Sequence, residues 1–271
     1  MTHARQPTLY IPHGGGPCFF MDWGSHKAFG GPANTWDELA AYLREMGQAH
    51  AQPKALLVVS AHWEAPVPTV LTHPNPPLLF DYYGFPPETY RLTWPAPGAP
   101  KLAARVTELL RDGGFEAGED GARGFDHGVF IPLKVAYPEP SIPTLQLSLI
   151  DGLDPRKHLE LGRALAPLRD EGVLIIGSGM SYHNMRGFNQ PGSLALSREF
   201  DAWLAKSCTE PLGREHALAD WANAPSGRAC HPREEHLLPL MVAAGAASGE
   251  PGRRVFSGEV MGVDVSAFEF G

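Results

Sequence analysis

The sequence predicts an α/β fold in which a central, mixed but largely parallel β-sheet is flanked by helices. Four short apolar segments are rich in β-branched or large apolar side chains, as in strands that are covered on both faces. Segments with apolar residues at helical spacing lie between them, and strands that alternate with helices build largely parallel sheets. No shift in composition divides the chain, so we expect residues 1–271 to form a single domain.

The four predicted strands cover residues 8–11, 56–60, 144–149 and 173–176. The predicted helices cover residues 34–48, 100–112, 155–168 and 193–208. A last helix is expected to begin at Pro232, because proline suits the first helical position, and Pro239 would then kink it. The tail, residues 258–270, alternates apolar and polar side chains loosely and predicts a final strand.

Composition excludes several classes of protein. The 271 residues carry a formal net charge of -8 and no basic cluster, so nucleic acid is not an expected partner. The three cysteines do not form a paired pattern, and reduced thiols in a cytoplasmic protein are the simplest interpretation. The first residues do not resemble a signal peptide, and no apolar run reaches the ~20 residues of a membrane span. We therefore expect a cytoplasmic protein with no membrane partner.

One long segment, residues 64–97, is rich in proline and aromatic side chains. A loop of this length in a compact domain is usually functional. The aromatic residues 80–85 are our candidate for a lid or for a wall that stacks on a ring. Ordinary packing of the loop against the core is an equally good interpretation.

Three histidines follow predicted strands closely. His13 and His62 come just after the first two strands, and His183 lies a few residues past the fourth. Ligands of open α/β sheets bind outside the carboxyl ends of the strands, where these side chains would converge. Imidazole is the commonest protein metal ligand, so the pattern indicates a metal site. The alternative is that the three are unrelated loop residues.

Two further histidine motifs are less decisive by themselves. His231 and His236 are five residues apart, which would point them about 140° apart on a regular helix and disfavours joint ligation of one metal. A histidine beside an apolar helix face, as at His236, is often only a hydrogen-bonded core residue. His127 lies in a predicted loop, where Asp126 is a candidate local cap. Six other histidines lie in polar or loop-like surroundings and are assigned surface or structural roles: His3, His26, His50, His73, His158 and His216.

Six motifs are spread over almost the whole chain. They are PHGGGP at 12–17, VVSAHWE at 58–64, YYGFP at 82–86, GFDHG at 124–128 with PLK at 132–134, IGSG at 176–179 with His183 and Asn184, and HPREEHLLP at 231–239. Together and in this order, these motifs resemble the extradiol aromatic ring-opening dioxygenases of the DODA type, in the LigB-like class III superfamily.

The resemblance implies roles for five histidines. His13, His62 and His236 would be metal ligands, His183 the acid/base residue, and His127 a pocket residue that contacts substrate or oxygen. Protocatechuate-type relatives use a glutamate as third ligand, so Glu234 or Glu235 competes with His236. Fe(II) is expected for activity, although an all-histidine set also suits Zn(II).

The implied reaction is extradiol cleavage of a catechol by O2 to an open semialdehyde, in a single catalytic domain at residues 1–271. Two alternatives remain open at this stage. A zinc hydrolase could use the same three histidines, although the chain contains no HExxH motif. A non-catalytic metal-binding relative would keep the fold and lack the redox role.

Overall fold

The computed structural model describes residues 5–25, 31–49 and 52–271. Its strands are β1 (Thr8–Pro12), β2 (Ala55–Ala65), β3 (Thr69–Leu71), β4 (Gly118–Asp120), β5 (Thr144–Ile150), β6 (Val173–Gly179), β7 (Gly252–Val260) and β8 (Val263–Phe270). Its α-helices are α1 (Asp37–Ala49), α2 (Pro100–Asp112), α3 (His127–Ala136), α4 (Pro155–Leu165), α5 (Pro167–Asp170), α6 (Ser193–Thr209), α7 (Arg214–Ala219), α8 (Gly227–Cys230) and α9 (Leu238–Ala246).

The strands form one mixed sheet in the order β4-β3-β5-β2-β6-β1-β8-β7. Its four central strands, β5, β2, β6 and β1, pair in parallel, and the antiparallel pairs lie towards its edges. β5 and β6 are buried along their whole length, which explains their continuous apolar runs. The predicted α/β class with a largely parallel centre is therefore confirmed. The carboxyl ends of β2, β6 and β1 lie side by side, because these three strands are neighbours.

Several predicted elements have different bounds in the structure. The last helix begins at Leu238 rather than Pro232, so Pro239 lies in its first turn and kinks nothing. The tail is not one strand but the hairpin β7–β8, whose turn residues Met261 and Gly262 both have positive φ. The helix predicted at residues 155–168 ends at Leu165, before Pro167 starts a separate short helix.

The segment at residues 64–97 is more structured than a single long loop. It contains the end of β2, the short strand β3 and a 3-10 helix at Pro87–Arg91. α3 was not predicted as a helix, because its apolar residues cover every face and only a short part of it touches solvent. Within the described ranges, no helix is long and apolar enough to cross a membrane.

His158 is a structural histidine in the core, at the start of α4. Its Nδ1–H donates to the Asp154 carbonyl oxygen (2.7 Å), and its Nε2 accepts from the Ile150 N–H (3.1 Å). Both nitrogens have fixed roles, so the ring is neutral in the folded protein. Burial lowers the pKa of His158 to about 4, whereas the pKa of an unperturbed histidine is about 6.5.

We expect His158 to make the fold less stable as the pH falls. Between about pH 6.5 and pH 4 the unfolded chain takes up a proton that the folded chain excludes, so the free energy of unfolding falls through this window and is fully retained above it. Above this window, the lowered pKa of His158 accounts for on the order of 3 kcal/mol in the free energy of unfolding, relative to the value below it. Urea unfolding of metal-free protein should show a smaller pH dependence for His158→Gln than for wild type. The exposed control His216→Gln should follow wild type, and equal pH dependence in all three would contradict the prediction.

Candidate active site

Two strand ends deliver the first two histidines. His13 directly follows β1, and its N–H donates to the Gly179 carbonyl oxygen (3.0 Å), which extends the pairing of β1 with β6 by one residue. His62 lies inside β2, not after it as predicted. The register of β2 with β5 shifts between Val59 and Glu64, so His62 lies on a bulge, a feature that commonly re-aims a side chain near a site.

His236 reaches the same place from a turn and not from a helix. Its carbonyl oxygen accepts from the Tyr10 hydroxyl (2.8 Å) and from the Met180 N–H (3.1 Å), which ties the turn to β1 and to the end of β6. The turn lies close to the strand because Gly179 has no side chain: a Cβ there would lie 2.1 Å from the His236 carbonyl oxygen. His231 does not begin the last helix. It ends the short helix α8, where its N–H donates to the Gly227 carbonyl oxygen (2.9 Å), and its buried ring lies against the Ser181 carbonyl oxygen (2.9 Å).

Gly179→Ala is expected to damage the site through backbone displacement alone. The new methyl group must push the His236 carbonyl away, at a cost of ~1–3 kcal/mol in stability, and must move the imidazole with it. We expect the affinity for divalent metal to fall by about tenfold or more, measured by competition with a chromophoric chelator. Gly121→Ala is the matched control, since its Cβ would meet only Thr72 at 3.4 Å. Unchanged affinity in Gly179→Ala would contradict the prediction.

The structure brings all five predicted site histidines into one cluster. The ring centroids of His13, His62 and His236 are 4.8–5.2 Å apart, and Nε2 of His13 lies 3.2 Å from Nε2 of His62. His127 lies 3.9 Å from the His62 ring, and His183 stacks on His236 with centroids 3.2 Å apart. Ligand atoms come within 4.8 Å of one another in two groups, His13–His62–His127 and His183–Glu235–His236. Distances alone therefore allow either His127 or His236 to be the third metal ligand beside His13 and His62.

Hydrogen bonds to Nδ1 decide which nitrogen is free. His13 Nδ1–H donates to the Gly14 carbonyl oxygen (2.8 Å), which is positioned by a positive φ of 86° that favours glycine. His236 Nδ1–H donates to Glu235 Oε1 (3.0 Å), and its Nε2 is buried with no hydrogen-bond partner among the described residues. A neutral ring that is protonated at Nδ1 keeps its Nε2 lone pair, so His13 and His236 offer this atom to a ligand.

The three histidines expected to hold a metal are kept neutral. Burial is the largest cause that lowers the pKa of His13, His62 and His236 well below the ordinary value, and the neighbouring imidazoles lower it further. Neutral imidazole is the form that binds a metal, so the cluster does not have to lose protons before it does so.

Two carboxylates orient the rings. Asp81 Oδ1 accepts from Nδ1 of His127 (2.8 Å) and from its backbone N–H (2.9 Å), and Asp81 Oδ2 faces His62 Nδ1 at 3.7 Å. Glu235 Oε1 accepts from both His183 (3.2 Å) and His236. Burial would raise the pKa of each carboxyl, but the hydrogen bond from His127 to Asp81 and that from His183 to Glu235 outweigh it and lower the pKa. Both groups are therefore ionised at neutral pH.

The neighbouring glutamate has another role. Glu234 pairs with Arg228 (2.7 Å), away from the imidazole cluster.

Asp126 occupies the position before α3 but makes no side-chain cap. It is instead fully buried, where it accepts from Ser60 (2.7 Å) and Arg123 (3.1 Å). Arg123 also donates to the His62 carbonyl oxygen (3.1 Å), so this network links the start of α3 to the bulge of β2.

The cluster forms the floor of a cavity of about 420 Å³. From the aromatic segment 80–85, Tyr82 and Phe85 line it and pack against each other at 5.4 Å, and the exposed Tyr83 stands at its edge. Phe80 does not line the cavity and packs on Phe130 (5.6 Å). Three of the four aromatic residues in the segment therefore line the cavity, and Phe80 alone is ordinary packing.

Sequence reasoning missed the carboxylates and most of the wall. Asp81 was overlooked among aromatic residues, although an acidic side chain alone in such a run was the available signal. Glu235 was considered only as a rival ligand. Of the six histidines assigned surface or structural roles, His158 is structural and buried, His73 and His216 are at the surface, and His3, His26 and His50 lie outside the described residues.

Comparison with known proteins identifies a family that matches most of this chain. The family described as the catalytic LigB subunit of aromatic ring-opening dioxygenase matches residues 7–267. The chain belongs to the LigB family. It is accordingly an extradiol ring-cleavage dioxygenase, an enzyme that acts on an aromatic substrate with O2, and the members of this family depend on a metal. The match favours neither a zinc hydrolase nor a non-catalytic relative.

Individual relatives extend over most of the chain. The 4,5-DOPA dioxygenase extradiol of Beta vulgaris is 43% identical over 199 residues, which is 72% of this chain and 74% of that protein. Dioxygenase tasH of Hapsidospora irregularis is 35% identical over 283 residues, which is 98% of this chain and 85% of that protein. An uncharacterized protein of Escherichia coli K12 has a solved structure with a TM-score of 0.76 and 29% identity, and the match covers 98% of this chain and 100% of that one.

Proposed function

We propose that this LigB-family enzyme is a non-haem Fe(II)-dependent dioxygenase that opens a catechol ring with O2 to a semialdehyde. The metal would be held by His13, His62 and His236. One observation carries the assignment of the third ligand: His236 Nε2 is buried without a partner, beside the facing Nε2 atoms of His13 and His62. We also propose that residues 1–271 act as one catalytic domain, which the continuous sheet and the family match over residues 7–267 support.

The donor set fits a divalent transition metal. Two imidazole nitrogens whose lone pairs face each other at 3.2 Å repel unless a proton or a cation lies between them. Imidazole suits Fe and Zn alike. Zinc is the other expected occupant, but it has no redox chemistry. We therefore assign Fe(II) to the active form.

When bound, Fe(II) supplies the electron-transfer and Lewis-acid chemistry that joins a catecholate to dioxygen. His183 supplies the proton chemistry. Its Nδ1–H donates to Glu235 Oε1, so Nε2 keeps the lone pair and accepts a proton from a catechol hydroxyl. The ionised Glu235 then stabilises the imidazolium that forms, and the same Nε2 returns the proton when the ring opens.

His127 holds the substrate or oxygen from its place in the lining of the same cavity. Two hydrogen bonds to Asp81 Oδ1 fix its ring, which leaves Nε2 available in the cavity. The Tyr82 ring lies 5.8 Å from it, edge to face, and closes the wall behind it. A catechol ring bound here would exchange water for aromatic and methionine side chains, which favours binding and keeps water from the reacting atoms.

Oxygen uptake tests the proposal. Fe(II)-loaded protein is mixed with a panel of catechols in air, and oxygen consumption and the yellow ring-opened product are followed together. The panel includes DOPA, because relatives are named 4,5-DOPA dioxygenase extradiol. We expect one O2 to be consumed per ring opened, and no product under nitrogen or with Zn(II) in place of Fe(II). Product formation under nitrogen, or equal rates with zinc, would exclude the proposed function.

A further inference from the structure

The mouth of the active-site cavity is lined by apolar side chains that stay partly open to solvent. Met185 is 62% exposed and Tyr83 is 89% exposed, although both line the cavity. Phe85, Phe188 and Met261 are half-buried beside them. Large apolar side chains grouped at the rim of a cleft usually mark a surface that a ligand covers.

Charge in the cavity is confined to its floor. Among the described residues that line it, none is a lysine or an arginine, and the carboxylate of Asp81 is turned to His127 and His62. Arg186 follows Met185 in the chain but does not line the cavity. A carboxylate on the ring substituent of a substrate would therefore lose water against these apolar side chains and meet no lysine or arginine among the described residues that line the mouth.

We infer that the catechol this enzyme takes carries an uncharged, apolar ring substituent that lies between the two walls of the mouth. This inference rests on the proposed function and names its substrate class. Met185 and Met261 suit such a group, because the unbranched thioether side chain adapts to irregular apolar shapes. Tyr83 and Phe85 cover its other side, where aromatic rings contribute a large contact area. The diol stays at the histidine cluster, and the substituent is covered by these side chains of the mouth.

A matched pair of ligands isolates the effect of a carboxylate charge on binding. Dihydrocaffeic acid and its methyl ester share the catechol ring and chain length and differ in the carboxylate. Calorimetric titration of Zn(II)-loaded protein without oxygen measures binding and avoids turnover. We expect the ester to bind at least about tenfold more tightly than the acid. Equal binding, tighter binding of the acid, or no binding of either would overturn the inference.

A charge placed at the mouth should reverse the preference. In Met185→Lys the ammonium would pair with the acid, so the ratio of ester to acid affinity should fall by about tenfold. Leu212→Lys is the matched control: Leu212 is 94% exposed, does not line this cavity, and should leave the ratio unchanged. An unchanged ratio in Met185→Lys, or an equal change in Leu212→Lys, would contradict the position assigned to the substituent.

Turnover separates this inference from the proposed function. Fe(II)-loaded protein is assayed with both compounds for oxygen uptake. If the ester binds preferentially and neither compound consumes oxygen, the dioxygenase proposal fails while the preference of the cavity stands. If both compounds consume oxygen with equal kcat/KM, the dioxygenase proposal stands and the inference fails.

Discussion

His183→Ala is expected to bind divalent metal like the wild type and to lose ring opening by about 10²–10⁴-fold in kcat/KM. The backbone of its stacking neighbour, His236, stays tied to Tyr10 and Met180, and its Nδ1 stays bonded to Glu235, so the proposed ligand keeps its place. What is lost is the Nε2 atom that would accept and return the catechol proton. Metal content and oxygen uptake are measured on the same preparation.

His13→Ala provides the contrast, since it removes a proposed ligand and is expected to lose metal and activity together. The exposed His216→Ala should keep both. His183→Gln, which retains a planar group against His236, should bind metal as tightly as His183→Ala and be as inactive. Normal turnover of catechols by His183→Ala would show that the acid/base assignment is wrong. Loss of metal from it would instead make His183 a ligand, as its group with Glu235 and His236 allows.

His236→Ala is expected to weaken metal binding by more than about 100-fold, beyond the roughly 10–100-fold that the loss of an outer-shell partner costs. Its Nε2 is buried and has no hydrogen-bond partner in the part of the chain that the structure describes, so none of these residues compensates for its loss. His127→Ala, which removes the rival third nitrogen, should bind metal within a few-fold of wild type, because the proposal assigns His127 Nε2 to the substrate or oxygen and not to the metal. The pair of variants therefore decides between two ligand sets that distance alone leaves open.

Co(II) substitution gives this comparison a second readout. The visible spectrum of bound Co(II) depends on the number and kind of ligands, so it should change in His236→Ala and persist in His127→Ala. His231→Ala is the nearest structural control, since that ring is buried against the Ser181 carbonyl oxygen and away from the cluster. The opposite pattern, with metal lost only in His127→Ala, would make His13, His62 and His127 the ligands.

Much of the fold was accessible from local sequence. The four central strands were predicted at the right places because a strand covered on both faces needs an apolar run, which is a local property. The edge strands β3 and β4 are not predicted, because three residues on a partly exposed edge are too few to show an alternation of apolar and polar side chains. α9 was placed too early because a proline at 232 resembles a helix start, while the true first turn contains Pro239.

The sequence by itself determined the α/β class and the convergence of His13, His62 and His183, because chain direction alone brings the carboxyl ends of parallel strands to one edge. Only the tertiary structure brought His236 to them. That residue depends on Tyr10, Met180 and the missing side chain of Gly179, which are distant in the chain. The roles of Asp81 and Glu235 were also visible only in the tertiary structure. A hydrogen bond between side chains of separate segments leaves no periodic pattern in the sequence. The apolar mouth, built from the three segments at residues 83–85, 185–188 and 261, likewise exists only once the chain is folded.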